Sequence, residues 1–282
     1  MDVEGSDRVA FLQGQLTQDV ARLDSGQVLP AASLTPRGKL IFIARLLALS
    51  DRLRLLLPAI SRERVLEHLK KYAVFHKVTV ADRSDDLLRI GVYAAARGRL
   101  PDPPLVDALL LPGEGEFSGE ILAPLGSGDQ IERWLGAAGS IPVSEETGEI
   151  LRVEAGRPRF GRDADESHLA DEVGLDPAIS TTKGCYVGQE IVARMRTYGR
   201  VNKRLIGFRF PAGLLAAGSV LRKPNAPDAG KIEWGRVTSA VVSPAFGPIG
   251  LGFAFREASP GDRLADAAGS GRDAVVTTLP FA

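Results

Sequence analysis

The chain holds a single cysteine, Cys185, inside "TTKGCYVGQE" at residues 181–190. One thiol cannot close an internal disulfide, and with only three scattered histidines (His68, His76, His168) it cannot complete a zinc site of the usual spacing. What remains is a nucleophile, or a single metal ligand shared with a partner, a second subunit or a cofactor. The spacing predicts a helix that begins near Tyr186 or Val187, which puts the sulfur beside unpaired backbone N–H groups with Lys183 two residues away. Both effects favour the thiolate. In the following "GQEIVARM", Gln189 and Glu190 fall in the first turn, Glu190 can pair with Arg194 at i,i+4, and Ile191, Val192 and Met195 make an apolar face. Gly184 and Gly188 allow a tight turn and close approach by another group. A lone cysteine is more often a small buried apolar residue. On the residues alone, both readings of Cys185 stand.

Other groups offer less. Glu154, in "LRVEAG", sits at the end of an amphipathic run where periodicity does not decide between a solvated face and a pocket. "GEGEFSG" at 113–119 is glycine-rich, but its two glutamates would repel phosphate and no strand-to-helix context surrounds it, so it reads as a solvated hairpin loop. The histidines lack a serine or cysteine at triad spacing. "RMRTYGRVNKR", 194–204, is a basic cluster that reads either as a solvated connection or as a dock for an anionic tail, an acidic partner or RNA.

The elements that must position these groups follow from periodicity. Ser6 or Asp7 offers a cap for a helix over 8–23, with Phe11, Leu12, Leu16 and Val20 at helical intervals. "GKLIFIARLLAL" and "RLRLLLP" read as strands joined by a hairpin through Ser50 and Asp51. "SRERVLEHLKKY", capped by Ser61, reads as a helix leading into strands "HKVTVAD" and "LLRIGVY". A further strand pair, "DALLL" and "GEILAP", precedes helices over 127–139 and 144–156, the latter capped by Ser144 and ended by Gly156. From about 203 the pattern changes to short alternating strands, "KRLIGFRF", "KIEWGRVTSAVVSP" and "PIGLGFAF", separated by glycine and proline turns. That pattern predicts a small β-barrel. Helices interleaved with hairpins predict an α+β fold rather than a doubly wound parallel sheet.

The 282 residues carry 35 basic and 35 acidic side chains, so no global field draws a polyanion, although a local patch remains possible. The start shows no basic segment followed by an apolar one, and no stretch approaches a membrane-spanning length. The expected address is the cytoplasm, or the mitochondrial matrix for a eukaryotic source.

"KGCYVGQEIVAR" resembles the signature of the YgfZ-type folate-binding proteins, the group that includes the mitochondrial iron-sulfur assembly factor and is related to the T-protein (aminomethyltransferase) of glycine cleavage. "DRVAFLQGQLTQDV", "LRVEAGRPRFGRD" and "GRVTSAVVSPAFGPIGLGF" resemble the family's opening helix, central helix-to-loop segment and C-terminal barrel, in that order. The resemblance implies two ferredoxin-like units over 1–203 and a β-barrel over 204–282, arranged around a central cavity for tetrahydrofolate. It implies that the Glu154 carboxylate accepts the amino group and ring N–H of the pterin, and it favours the reactive-thiol reading of Cys185, kept ionised by Lys183. Gly184, Tyr186, Gly188, Gln189 and Arg194 are the further residues expected to contact the cofactor. The chain also departs from its relatives. T-proteins carry paired aspartates shortly after the glycine matching Gly38, and Ile41 and Phe42 align there, so aminomethyl transfer by that route is not expected. The family's first strand also precedes "VEGSDRVAFLQG", leaving few residues for it here.

The expected function is therefore that of a folate-binding accessory protein in iron-sulfur cluster assembly or repair. Its partners would be assembly factors or client iron-sulfur enzymes, such as tRNA-modifying radical enzymes, with no membrane. Whether it is itself an enzyme stays open. The rival readings are a folate-dependent aminomethyl or one-carbon transferase, and a binding module that docks RNA or a protein through 194–204.

Overall fold

The computed structural model describes residues 1–93, 102, 103, 105–113, 117–197, 199, 201–224 and 233–281. Five antiparallel strands open the chain: β1 (Asp2–Glu4), β2 (Val28–Leu34), β3 (Leu40–Ala48), β4 (Arg52–Leu56) and β5 (Thr79–Ala81), in the spatial order β2-β3-β4-β1-β5. Helices α1 (Arg8–Gln15) and α2 (Arg62–Ala73) separate β1 from β2 and β4 from β5. Without β2, the sequence β1-α1-β3-β4-α2-β5 with order β5-β1-β4-β3 is the split βαβ connectivity. Strand β2 is an addition on the outer edge. The sequence reading missed it because Pro30 interrupts the run, and an edge strand is where a proline can sit.

The β3–β4 hairpin forms as expected, and β3 is apolar on both faces because both are covered. Phe42, Ala44 and Leu46 join Phe11, Leu12, Val65 and Leu69 in the core beneath α1 and α2. Leu47 and Leu56 instead meet Leu111 and Leu122 of a second sheet. Ile41 and Phe42 are themselves core residues.

Helix α1 is shorter than its pattern. It stops at Gln15, and Leu16 turns to an extended conformation. The cause is Thr17, whose buried hydroxyl donates to the Ala178 carbonyl at 2.6 Å while its backbone N–H donates to Ala32 O at 2.8 Å. A side chain that bonds backbone elsewhere competes with continuing the helix. Neither expected cap on the first two helices operates: Asp7 accepts from Lys77 N at 2.8 Å, and the buried Ser61 hydroxyl has no partner among the described residues.

The two strands expected between 76 and 93 separate. β5 completes the first sheet, while β6 (Leu87–Tyr93) starts a second with β7 (Leu109–Pro112) and β8 (Phe117–Pro124), in the order β6-β8-β7. Among the described residues this unit is three strands followed by α3 (Gly128–Ala137) and α4 (Glu145–Glu154), without the six-element connectivity of the first. Residues 114–116 of the expected hairpin loop lie outside the described residues. Ser144 caps α4 by accepting from Thr147 N at 3.2 Å, and Gly156, at φ +67°, terminates it. Helices α5 (Ala170–Val173) and α6 (Gln189–Thr197) lead to a closed barrel of β9 (Lys203–Arg209), β10 (Val220–Arg222), β11 (Gly235–Ser243), β12 (Gly247–Phe255), β13 (Arg263–Asp266) and β14 (Asp273–Thr277), ordered β10-β11-β12-β9-β14-β13. Its interior holds Ile206, Phe208, Phe210, Leu221 and Val237. Among the described residues no helix is long and apolar enough to cross a membrane.

The short central strand β1 is held by a buried charge pair. Asp2, with no exposed surface, accepts from Arg54 Nε at 2.6 Å and Nη2 at 2.7 Å, and Arg52 Nη1 lies 3.4 Å away. Burial pushes its carboxyl up, but the hydrogen bond and charge of Arg54, with a further hydrogen bond from Arg52, outweigh that and hold it below the ordinary carboxylate range. The folded-state value lies below the unfolded one, so this stabilisation is present above about pH 4 and is lost as pH falls through the folded value. Asp2→Asn should cost about 2–4 kcal/mol at pH 7 in urea denaturation. The gap to wild type should narrow in acid; a gap independent of pH would contradict the ionic origin.

Candidate functional site

The signature loop is built against the end of α1. Lys183 is buried, and its ammonium donates to three carbonyls: Gln13 at 2.7 Å, Leu16 at 2.6 Å and Gln18 at 2.8 Å. The Gln13 and Leu16 carbonyls lie at the C-terminal end of α1, where a helix leaves acceptors unsatisfied. Burial pushes the ammonium down to about 8, so it remains charged at neutral pH, and it lies 5.0 Å from the Tyr186 ring centroid. Val187 N donates to Gly14 O at 3.2 Å and Ser180 N to Thr17 O at 3.0 Å, so residues 180–187 run along the helix end.

The structure corrects two expectations here. Helix α6 starts at Gln189, not at Tyr186 or Val187, so Cys185 stands in an exposed loop four residues before it rather than at its first turn. Lys183 is a fastener of backbone carbonyls, its ammonium donating to Gln13, Leu16 and Gln18 and not to the sulfur. The helix begins late because Gly188, at φ +86°, turns the chain. A Cβ there would come within 2.6 Å of Thr35 O. Gly38, also left-handed, seats against Ile191 of α6 in the same way, with 2.7 Å to a built Cβ. Gln189 reaches back so that its Oε1 accepts from Tyr186 N at 3.3 Å. Tyr186 is buried with Leu34, Leu40, Phe160 and Phe253. Among the described residues nothing lies within 4 Å of a Cβ built on Gly184, and Cys185 beside it is exposed. Arg194 is exposed and only loosely paired with Glu190 at 3.8 Å.

Glu154 ends α4 against the barrel. Its Oε1 accepts from Ser243 Oγ at 2.5 Å, and its backbone carbonyl from Phe281 N at 2.9 Å. No described hydrogen bond or ion pair joins it to the signature loop. The basic cluster is dispersed: Arg196 bonds Asp171 and Asp176, Arg204 bonds the Ala258 carbonyl, and Tyr198 and Arg200 lie outside the described residues.

A cavity of about 580 Å³ opens between the two sheets and the segment after α4. Arg45, Arg89, Arg152, Arg157 and Arg159 line it, with Glu120 among them. Glu120 bridges the sheets, accepting from Arg45 at 2.7 Å and from Arg89 at 2.5 Å. Arg152 is fixed by Asp163 and Ser239, each at 2.7 Å, and by Glu149. Neither Glu154 nor Cys185 is on the cavity wall, and the β3 residues that are, Ile43, Ala44 and Arg45, include no acid or base for proton transfer. The sequence reading missed these arginines. Their signal was a lone cation inside an apolar strand, Arg45 in "LIFIARLLAL" and Arg89 in "LLRIGVY".

This architecture is shared with the crystal structure of glycine cleavage system aminomethyltransferase T from Bartonella henselae, which matches all of this chain and 83% of that one with a TM-score of 0.84 at 21% identity. The protein thus has the mixed α+β fold of that transferase, completed by a closed barrel. No family model matches the chain. It is 30% identical over 248 residues to the tRNA-modifying protein YgfZ of an Enterobacter species, spanning 83% of this chain and 73% of that protein. It is 31% identical over 258 residues to YgfZ of Edwardsiella ictaluri, spanning 81% and 71%. The chain belongs to the YgfZ family.

Lys183→Met should lower stability by about 2–4 kcal/mol in urea denaturation, since it leaves buried carbonyls without donors. Cys185→Ser should stay within about 0.5 kcal/mol of wild type. Iodoacetamide should modify the native protein fully at one residue, read by mass spectrometry; protection of Cys185 until denaturant is added would contradict its exposure.

Proposed function

We propose that this protein is a cytoplasmic folate-binding accessory factor that supports tRNA modification through iron-sulfur enzymes, without itself performing aminomethyl transfer. The arginine-lined cavity carries the reading. Its volume is typical of a small-molecule site, and a folate presents a flat ring system and glutamate carboxylates that guanidinium forks bind in bidentate fashion. Family membership and the names of the relatives support the link to tRNA. Glu154, which lies off the cavity wall and is held by Ser243, would accept the pterin amino and ring N–H groups only from a ligand that reaches past that wall. Tyr186, Gly188 and Gln189 would fix the signature loop that presents Cys185. Against aminomethyl transfer stands β3, whose cavity-lining residues include no carboxylate.

The exposed Cys185 fits a role at a partner's surface, with assembly factors or client enzymes. Four thiolates usually hold a cluster, so one cysteine lends a single ligand or acts as a transient nucleophile.

Calorimetry with tetrahydrofolate tests the reading. Wild type should bind, and Arg159→Met and Glu154→Gln should each weaken binding about tenfold, or 1.4 kcal/mol. Glutamine keeps an acceptor for Ser243, which separates a ligand role for Glu154 from a structural one. Cys185→Ser should leave the folate heat unchanged and abolish support of a tRNA-modifying iron-sulfur enzyme in a coupled assay. No heat with wild type ends the folate reading.

A further inference from the structure

Helix α2 runs out into "KKYAVFHK", residues 70–77. Lys70, Lys71, Tyr72, Phe75, His76 and Lys77 are all exposed there. Phe75 is 85% exposed and Val74 beside it 73%. An aromatic ring this far out contributes nothing to the core of the chain, and a surface phenylalanine flanked by cations is a feature that needs an explanation. Lysines in a last helical turn ordinarily complement the helix dipole. That accounts for Lys70 and Lys71. It accounts neither for Lys77, beyond the helix end, nor for Phe75.

The lysines of this turn also differ from several exposed or part-exposed arginines elsewhere on the chain. Arg52, Arg62, Arg64, Arg83, Arg196 and Arg236 each hold a carboxylate. No ion pair among the described residues takes Lys70, Lys71 or Lys77. The contact made by Lys71 is with an aromatic face, its ammonium lying 5.8 Å from the Tyr72 centroid. The turn is nonetheless well anchored. Lys77 N donates to Asp7 Oδ2 at 2.8 Å, His76 N to Ala73 O at 2.9 Å, and the His76 ring packs 5.2 Å from Phe11. The ring and the cations are presented on a fixed turn.

We propose that this turn docks single-stranded nucleic acid, with a base stacked on Phe75 and the flanking phosphates held by Lys70, Lys71 and Lys77. Exposed rings interleaved with unpaired cations match the two surfaces of an unpaired strand, its base faces and its phosphates, and require no particular sequence. The zero net charge of the chain does not oppose this, because the attraction is local and acts within a Debye length. An anionic membrane is the less fitting partner. Binding there scales with the apolar area inserted, and the apolar side chains here are Val74 and Phe75 with a part-exposed Tyr72; the other strongly exposed aliphatic on this helix, Ile60, precedes its opposite end. The proposal is independent of the folate cavity, which none of these residues lines.

The test is fluorescence anisotropy with a labelled oligouridine of about a dozen nucleotides, since site sizes in such proteins reach that range. Duplex RNA and phosphatidylserine vesicles are measured alongside. Wild type should bind the single strand in preference to the duplex. Phe75→Ala should weaken binding about tenfold, the loss of one stacked base. Lys70→Ala combined with Lys71→Ala should lower the slope of log affinity against log salt by about 1.4, two phosphates' worth. All three positions are exposed, and thermal melting checks that the variants fold. Tetrahydrofolate calorimetry on Phe75→Ala should match wild type, so failure here is distinguishable from failure of the folate reading. Absence of binding by wild type, binding that Phe75→Ala leaves unchanged, or Phe75-dependent retention on vesicles with no binding to RNA would each overturn the proposal.

Discussion

A buried ammonium with three backbone acceptors holds the signature loop in place. Lys183 could not be buried without partners, and the carbonyls of Gln13 and Leu16 could not be left at a covered helix end without donors. Each problem solves the other. With Lys183 turned inward and Tyr186 buried in the core beyond it, the residues between them, Gly184 and Cys185, are left on the outside. The exposure of the sulfur is thus a consequence of the two residues that flank it. The same fastening explains why α1 is short: Thr17 and Gln18 serve the segment 177–183 instead of a further helical turn.

Arginine organises the second region, in two ways. Arg152 is closed off, with Asp163 and Ser239 on one side and Glu149 on another, so it ties α4 to β11 and contributes shape more than charge to the cavity. Asp163 in turn accepts from Thr238 at 2.6 Å and from Arg159 N at 2.9 Å, which closes the knot without an unmatched charge. Arg45 and Arg89 share Glu120 across the gap between the sheets. Buried pairs of this kind do little for net stability but fix geometry when every member is satisfied. Arg159 also meets Glu149, at 3.2 Å, so an anionic ligand in the cavity would compete with internal carboxylates for these guanidinium groups.

Much of this was legible in the sequence, and the failures have separate causes. The α2 and α4 helices, the β3–β4 hairpin and the barrel strands β9, β11 and β12 follow directly from apolar periodicity. Strand β2 was hidden by Pro30, and the end of α1 by Thr17, whose partners lie 15 and 161 residues away. The start of α6 was misplaced because apolar Tyr186 and Val187 extend the helical pattern backwards, although Gly188 carried the turn signal. Lys183 was assigned to the sulfur because the two are close in sequence. Proximity along the chain says nothing about which side of an extended segment a side chain leaves from, and only the fold brings residues 13, 16 and 18 beneath it. The cavity arginines were scattered over three stretches, and no local spacing could unite them.

The two candidate regions are separate but not unrelated. Phe160 lines the cavity and also belongs to the cluster that buries Tyr186, Leu34 and Val192. The residue after Cys185 therefore leans on the same packed unit whose other side faces the cavity. Close-packed interiors shift between discrete arrangements instead of yielding gradually. A ligand against Phe160 would thus leave the signature loop where it is or move it as one piece, carrying the exposed sulfur with it. Gly188 and Gly38, whose missing side chains let α6 and the 35–39 turn touch, remove the slack that would otherwise absorb such a movement.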